Sequence, residues 1–174
     1  MEVRVWNYLK EYASSKEEIL KAVEDVFESG QLILGAKGKH FEQAYAEYCG
    51  VSHGVGCDNG TNAISLALLA VGVKPGDEVI TVPNTAIPTV SAIVTVGATP
   101  VFVDIDPLTY LMDVTKVESH ITEKTKCILP VHLYGQCVDM DELIALAWKY
   151  KLSIIEDCAQ AQGAEYKGYS VRLL

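Results

Sequence analysis

The chain has 174 residues, of which 49% are hydrophobic and 21% are charged, which supports a buried core and excludes a disordered polypeptide. The formal net charge of −9 argues against a nucleic-acid partner, because that binding needs clustered cations that release counterions from the phosphates. No apolar run approaches the roughly 20 residues of a membrane span, so no membrane partner is expected either.

The first part of the chain is predicted to be helical. Apolar residues recur at helical spacing in two segments separated by a loop with several glycines. Ser14 or Ser15 could cap the first helix, and Gly30 could end it in the left-handed conformation. The two predicted helices cover residues 15–29 and 39–49.

Strands and helices are predicted to alternate over the rest of the chain. The predicted strands are apolar throughout rather than at every second residue, which is typical of a parallel sheet covered on both faces. The expected fold class is therefore a three-layer α/β/α domain with a mostly parallel sheet, whose ligand binds beyond the carboxyl ends of the strands. Strands are predicted at residues 54–57, 77–82, 99–105, 127–133 and 153–157, and helices at residues 61–72, 88–96, 114–121 and 140–151.

A candidate phosphate site follows the first predicted strand. The segment DNGTNA over residues 58–63 leads directly into a helix, whose start offers free backbone N–H groups and the positive end of a dipole. Gly60 would let a phosphate approach the backbone, and the hydroxyl of Thr61 adds a donor. An ordinary helix cap explains these residues as well, so both interpretations stay open for this segment alone. Neither a dinucleotide nor a nucleoside-triphosphate fingerprint is present, which disfavours a plain nucleotide-binding domain.

An acidic residue ends the last predicted strand, in the segment IIEDCAQAQGA. A buried carboxyl group stays ionised when a cation or several hydrogen-bond donors lie beside it. A protonated pyridine nitrogen would be such a partner for Asp157, and the charged ring would then withdraw electrons from a substrate. A structural cap for the following turn is the alternative interpretation.

Five segments carry a family resemblance that covers residues 6 to 168 approximately. In chain order they read NGTNA, DEVITVPNTAIPTVSAI, GATPVFVDID, KTKCILPVHLYGQ and IIEDCAQAQGA. In this order they resemble the DegT family of pyridoxal-phosphate-dependent nucleotide-sugar aminotransferases. The resemblance implies that residues 1–174 are the N-terminal part of the large domain of a fold type I enzyme, with a helical segment at 1–50 and alternating strands and helices at 51–174. The family's small C-terminal domain would be absent.

The resemblance also implies how the cofactor, pyridoxal 5′-phosphate, would be held. Gly60, Thr61 and Asn62 would bind its phosphate. Asp157 would pair with the pyridine nitrogen, and Gln160 would face the phenolic oxygen.

Some positions depart from the family pattern or suggest other chemistry. Ala86 lies where many relatives carry an aromatic residue against the ring, so ring packing would rely on a smaller contact. Gln162 replaces a common histidine, which keeps a hydrogen bond and removes a titratable group. We interpret His132 as structural rather than catalytic. Asp104 and Asp106 are interpreted as loop-forming, and no metal site is predicted.

The resemblance implies transfer of an amino group, with glutamate as the expected donor, to a keto-sugar nucleotide in polysaccharide or amino-sugar biosynthesis. Relatives are homodimers, and the full-length form is expected to be one. Lys167 follows Asp157 too closely to match the family's cofactor-binding lysine, so we expect a truncated chain that is inactive alone. A related dehydratase that uses pyridoxamine phosphate and a non-catalytic regulatory protein on the same fold are the alternatives.

Cysteine usage and the start of the sequence predict the cellular compartment. The five cysteines are scattered without a metal-binding spacing, which indicates free thiols in a reducing cytoplasm. The first residues contain no apolar run of signal-peptide type. A cytoplasmic protein is therefore expected.

Overall fold

The structure is a computed structural model that describes residues 7–170. Expectations about residues 1–6 and 171–174 lie outside this range. The chain divides between Tyr45 and Ala46 into two compact units, and each is described by itself.

The first unit contains helix α1 (Tyr8–Ser29) and the start of helix α2 (Ala36–Cys49). The predicted N-terminus of α1 is wrong by seven residues, because Asn7 is the cap and its side chain accepts a backbone N–H from the first turn. Ser14 lies inside the helix, where its hydroxyl donates to a carbonyl of the preceding turn. The C-terminus is as predicted, with Gly30 in the left-handed conformation at φ 67°.

The second unit contains a four-stranded, fully parallel sheet. Its spatial order is β2-β1-β3-β4, so the chain adds strands first on one side of β1 and then on the other. A short antiparallel hairpin, β5 and β6, follows the sheet. The strands are β1 (Glu78–Thr81), β2 (Thr99–Phe102), β3 (Thr125–Ile128), β4 (Ser153–Ile154), β5 (Glu165–Tyr166) and β6 (Tyr169–Ser170).

Helices connect the strands and cover both faces of the sheet. Crossovers between parallel strands are right-handed. The connection from β1 to β2 crosses the sheet in one direction, and the later connections cross it in the opposite direction. The helices of the two groups of connections therefore lie on opposite faces. This produces the predicted three-layer α/β/α arrangement. The helices of this unit after α2 are α3 (Gly60–Ala70), α4 (Ile87–Thr95), α5 (Val114–Val117) with a 3₁₀ turn at Glu118–His120, and α6 (Met140–Tyr150).

Helices α3 and α4 both begin at the carboxyl edge of the sheet. Each is followed by a loop that leads into the start of a strand, and the two loops meet where the Gly76 N–H donates to the Gly97 carbonyl at 2.9 Å. Midway along the helices, the Ser65 hydroxyl donates to the Ala92 carbonyl at 3.5 Å. Because both helices end at the amino edge of the sheet and pack together, both helix starts lie at the opposite edge.

The strand predicted at residues 54–57 is absent. The structure gives these residues no regular secondary structure, and the Val55 side chain is 85% exposed. A strand needs a neighbour for its N–H and C=O groups, and no strand among residues 7–170 pairs with this segment. The other predicted strands are present, with ends that differ by a few residues.

The core of the second unit is built from the strands and the inner sides of their helices. It is a single cluster of buried apolar side chains, which is expected for strands that are apolar on both faces. No helix within residues 7–170 combines the length and apolarity needed to span a membrane. The largest fully buried side chains are Leu68, Ile80, Ile93, Ile128, Leu129 and Leu143.

Candidate functional site

Asp157 lies at the carboxyl edge of the sheet, just beyond β4. Its backbone continues the parallel pairing with the chain after β3, through a bridge to Val131. The Asp157 N–H donates to the Pro130 carbonyl at 3.0 Å, and the Asp157 carbonyl accepts the His132 N–H at 3.0 Å. This pairing fixes the backbone from which the half-buried Asp157 side chain projects.

Both oxygens of the Asp157 carboxylate accept hydrogen bonds from neutral donors. The Thr89 hydroxyl donates to Oδ2 at 3.1 Å, and the Ala159 N–H donates to Oδ1 at 3.1 Å. A second hydroxyl, that of Thr85, lies 2.8 Å from the Thr89 hydroxyl. No salt bridge to Asp157 forms within the described part of the chain. A half-buried carboxylate that has donors but no cation suits a positively charged ligand.

The predicted phosphate segment forms the start of α3. Asn59 is the N-cap, and its side-chain oxygen accepts the Asn62 N–H at 3.0 Å. The Asn62 side chain donates to both oxygens of Asp58, at 2.8 and 3.0 Å, so its amide group is already engaged. The N–H groups of Gly60 and Thr61 belong to the first turn, which has no intrahelical acceptor for them. A side chain at Gly60 would meet no heavy atom within 4 Å, so there is room for a ligand to approach.

Ala86 and Asp157 lie at the same edge of the sheet as the start of α3. Ala86 is the exposed N-cap of α4, with an extended backbone and no side-chain cap. Thr89, in the first turn of α4, contacts the Asp157 carboxylate directly. Since α3 and α4 begin side by side, the structure brings Gly60, Ala86 and Asp157 to one edge.

Gln160 lies in the turn after Asp157 and is exposed. Its side-chain oxygen accepts the Tyr134 N–H at 3.3 Å, and its backbone carbonyl accepts the Gly135 N–H at 3.0 Å. The carbonyl end of the amide is therefore engaged, which leaves the NH₂ end as the donor. Gln162 instead donates to the Ala159 carbonyl at 2.8 Å, within its own turn.

His132 is structural, as predicted. Its ring is fully buried, Nδ1 accepts the Val138 N–H at 3.2 Å, and Nε2 lies 2.8 Å from the carboxylate of Glu156, which is 3% exposed. Because Nδ1 accepts, the ring carries a proton on Nε2 and donates it to Glu156.

A potential metal-binding group includes these same two residues. The Cys137 sulfur, His132 and Glu156 offer ligand atoms within 4.8 Å of one another. A metal on Nε2 would take the place of the proton that this nitrogen donates to Glu156. The neutral ring would then carry its proton on Nδ1, where it would face the Val138 N–H. Burial also raises the pKa of the Cys137 thiol to about 12, which disfavours the thiolate that a metal would need. The geometry therefore favours a closed hydrogen-bond network.

The two acidic residues after β2 form a loop, as predicted. Asp104 accepts the N–H of the next residue at 2.8 Å, and Asp106 accepts the Leu108 and Thr109 N–H groups at 2.6 and 3.1 Å. Their carboxylates thus stabilise a turn.

Sequence reasoning missed Thr85 and Thr89. Both lie in the segment VPNTAIPT after β1, and the usable signal was their spacing of four residues around the start of α4. Thr85 lies just before the N-cap Ala86 and Thr89 lies in the first turn, so the chain entering the helix brings the two hydroxyls together. That the inner hydroxyl also reaches Asp157, 68 positions later, was not visible without the fold.

Together, the parallel sheet, the helix starts at its carboxyl edge and the carboxylate among them define an α/β domain with a candidate ligand site at that edge. A family model supplies the more specific class: the DegT/DnrJ/EryC1/StrS aminotransferase family matches residues 13–172. The chain belongs to this family.

Curated relatives are named for reactions on amino sugars and for regulation. The chain is 56% identical over 168 residues to the dTDP-3-amino-3,4,6-trideoxy-alpha-D-glucose transaminase of Micromonospora megalomicea subsp. nigra, covering 97% of this chain and 45% of that protein. It is 47% identical over 171 residues to the "Pleiotropic regulatory protein" of Geobacillus stearothermophilus, covering 98% and 46%. The chain thus spans about half the length of these relatives.

Solved structures agree on the fold and the cofactor. S. venezuelae DesV in complex with a ketimine intermediate superposes with a TM-score of 0.94 at 40% identity, covering 97% of this chain and 46% of that one. NtdA from Bacillus subtilis with bound PMP superposes with a TM-score of 0.85 at 39% identity, covering 89% and 36%. Pyridoxal phosphate is the cofactor of the family, as the sequence predicted.

Proposed function

We propose that this chain forms the cofactor-binding part of a nucleotide-sugar aminotransferase and holds pyridoxal 5′-phosphate at the carboxyl edge of its sheet. The observation that carries this proposal is the half-buried Asp157 carboxylate, which has neutral donors on both oxygens and no cation among the described residues. A pyridinium nitrogen would complete its set of partners. When bound, the cofactor supplies an electron-withdrawing ring for amino-group transfer.

The start of α3 is proposed to hold the phosphate. Gly60 and Thr61 offer backbone N–H groups at the positive end of the helix, and the Thr61 hydroxyl adds a third donor. Asn62 is proposed as a third contact, and its side chain would have to leave the Asp58 carboxylate in order to donate to the phosphate. This local arrangement would bind an anion despite the chain's net charge of −9.

Two further residues are proposed to contact the cofactor ring. The NH₂ group of Gln160 would donate to the phenolic oxygen, since its carbonyl oxygen is engaged by Tyr134. Ala86, at the exposed cap of α4, would lie against the ring face and leave space there.

No lysine among residues 7–170 is proposed to bind the cofactor covalently. All of these lysines are exposed, and none forms a salt bridge with Asp157. Lys167 pairs with Asp141 and lies over the Tyr166 ring, and the hydrogen bond to Asp141 raises the pKa of its amine. Because none of these exposed lysines pairs with Asp157, we propose that this chain alone does not turn over.

The substrate proposal rests on the relatives. A transaminase of a dTDP-linked amino sugar at 56% identity supports a keto-sugar nucleotide as acceptor, with glutamate as the proposed donor. A cytoplasmic homodimer is the proposed full-length form. Sedimentation of the full-length protein at several concentrations would test the dimer.

The test of the cofactor site is a binding titration of the 174-residue chain with pyridoxal phosphate. Asp157→Asn keeps the shape and removes the charge, so affinity should fall about tenfold or more, since hydrogen bonds to charged groups contribute about 1.5–3 kcal/mol. Asp141→Asn, which changes an exposed acid on α6, is the matched control and should bind normally. Equal affinity of Asp157→Asn and the original chain would refute the site.

A second measurement tests whether the chain forms a covalent adduct. Borohydride reduction of the mixture followed by intact mass should show no stoichiometric addition of cofactor. Stoichiometric addition of cofactor to one specific lysine would contradict the proposal that this chain does not turn over alone.

A regulatory role is the second candidate, because the relative from Geobacillus stearothermophilus carries that name at 47% identity. The two candidates differ in what the full-length protein does with an amino donor. Conversion of bound pyridoxal phosphate to its amino form by glutamate, followed by absorbance, would support the enzyme. Cofactor binding without that conversion would support the regulatory protein.

A further inference from the structure

We propose that Thr89 is a positioning residue whose buried hydroxyl, oriented by Thr85, aligns the Asp157 carboxylate with the ring nitrogen of the cofactor. This inference rests on the proposed function, because it assumes that Asp157 pairs with that nitrogen. It adds two residues that neither the motifs nor the family resemblance pointed to.

The geometry of Thr89 suits this role. Its side chain is 1% exposed, and its backbone N–H donates to the Ala86 carbonyl at 3.2 Å in the first turn of α4. The hydroxyl lies 3.1 Å from Asp157 Oδ2 and 2.8 Å from the Thr85 hydroxyl. A buried hydroxyl held between two polar partners has little freedom to rotate, so it can hold the carboxylate in one orientation.

The direction of the hydrogen-bond chain follows from counting protons. A hydroxyl has one proton, and an ionised carboxylate can only accept. The Thr89 proton is therefore committed to Asp157, and the Thr85 hydroxyl must donate to Thr89 oxygen. Thr85 thus orients Thr89, and Thr89 orients Asp157.

The carboxylate is held from two sides. Thr89 bonds Oδ2 and the Ala159 N–H bonds Oδ1, which opposes rotation of the carboxylate plane. Each oxygen keeps further acceptor capacity for a cation. Without the Thr89 hydroxyl, Oδ2 would lose its donor and the carboxylate could turn away from a pyridinium N–H.

Binding of two ligands tests the inference: pyridoxal phosphate and its deaza analogue, in which carbon replaces the ring nitrogen. Thr89→Val should weaken binding of pyridoxal phosphate about tenfold, the effect of one lost hydrogen bond to a charged group. Binding of the deaza analogue should not change, because that ring cannot pair with Asp157. Thr89→Ser should restore binding, and Thr85→Val should weaken pyridoxal phosphate binding by a smaller factor.

A second readout reports on the ring directly. With ¹⁵N-labelled cofactor, the ring nitrogen should be protonated in the original chain and in Thr89→Ser, and less protonated in Thr89→Val. Circular dichroism verifies the fold of each variant. If Thr89→Val does not fold, Thr85→Val and Thr89→Ser carry the comparison, since both retain the inner hydroxyl.

The outcomes separate the two proposals. Equal loss of both ligands in Thr89→Val would overturn the positioning role, because the effect would then come from packing. Unchanged binding of both ligands would overturn it as well and leave the cofactor site standing. If the original chain binds pyridoxal phosphate no better than the deaza analogue, the Asp157 assignment fails and the role of Thr89 fails with it.

Discussion

Replacement of His132 by leucine should destabilise the chain strongly, because it leaves a buried carboxylate without its partner. The ring is fully buried, Glu156 is 3% exposed, and 2.8 Å separates the two side chains. The substitution also removes the acceptor of the Val138 N–H. Leaving a buried carboxylate uncompensated costs about 3–5 kcal/mol, a large part of the roughly 5–15 kcal/mol that holds a domain together.

Urea unfolding followed by far-ultraviolet circular dichroism measures this cost. With a slope of about 2 kcal/mol per molar urea, the midpoint should fall by roughly 2 M. The double variant His132→Leu with Glu156→Leu removes both polar partners, so it should lose less stability than the two single variants added together. Asp141→Asn, which changes an exposed ion pair, should leave the midpoint unchanged.

Two results would refute this reasoning. A midpoint shift below about 0.5 M for His132→Leu, using the same slope, would mean that Glu156 finds water or another donor. If the stability losses of the two single variants add up to the loss of the double variant, the two side chains are not coupled. Either result would also remove the argument that this network is closed to a metal ion.

Three further outcomes follow from local geometry. Asn59→Ala should lower the unfolding free energy by about 1 kcal/mol by removing the cap of α3, and Asn59→Ser, which keeps a capping oxygen, should lower it less, as thermal melts can show. Gly97→Ala should cost more than Gly72→Ala in urea unfolding: both glycines have positive φ (79° and 84°), but a side chain at Gly97 would come within 2.9 Å of a proline, whereas Gly72 has open space. Burial raises the pKa of the Cys158 thiol to about 12, so at pH 8 it should react with iodoacetamide far more slowly than the exposed Cys57. Its rate should rise about tenfold for each pH unit between pH 8 and its pKa. Equal labelling of the two cysteines by mass spectrometry would contradict this.

The parallel sheet could be predicted because its strands are apolar on both sides. That composition implies burial of both faces, and the predictions at residues 77–82 and 99–105 match β1 and β2 closely. The strand predicted at 127–133 ends earlier, at Ile128, and Pro130 explains the interruption because it has no N–H to donate to a ladder. The segment at 54–57 was predicted from its apolar residues, but no strand within residues 7–170 pairs with it, and pairing cannot be read from composition.

The candidate site was predictable in part for a related reason. The sequence pattern places Asp157 at the end of a strand and residues 58–63 at the start of a helix, and a parallel sheet brings such residues to one edge. Contacts between distant residues have no such local signal. The hydroxyl of Thr89 and the ring of His132 acquire their roles from partners 68 and 24 positions away.

The adjacent starts of α3 and α4 have a consequence for the rate at which an anion is captured. A ligand approaching from bulk solvent meets a chain of net charge −9, and this long-range repulsion is screened beyond about 8 Å at 0.15 M salt. The attraction of a helix start acts only within its first turn, a distance shorter than the screening length, so salt weakens it less than it weakens the long-range repulsion. Added salt should therefore speed the arrival of pyridoxal phosphate while leaving its departure nearly constant, the reverse of what a basic phosphate-binding surface would show.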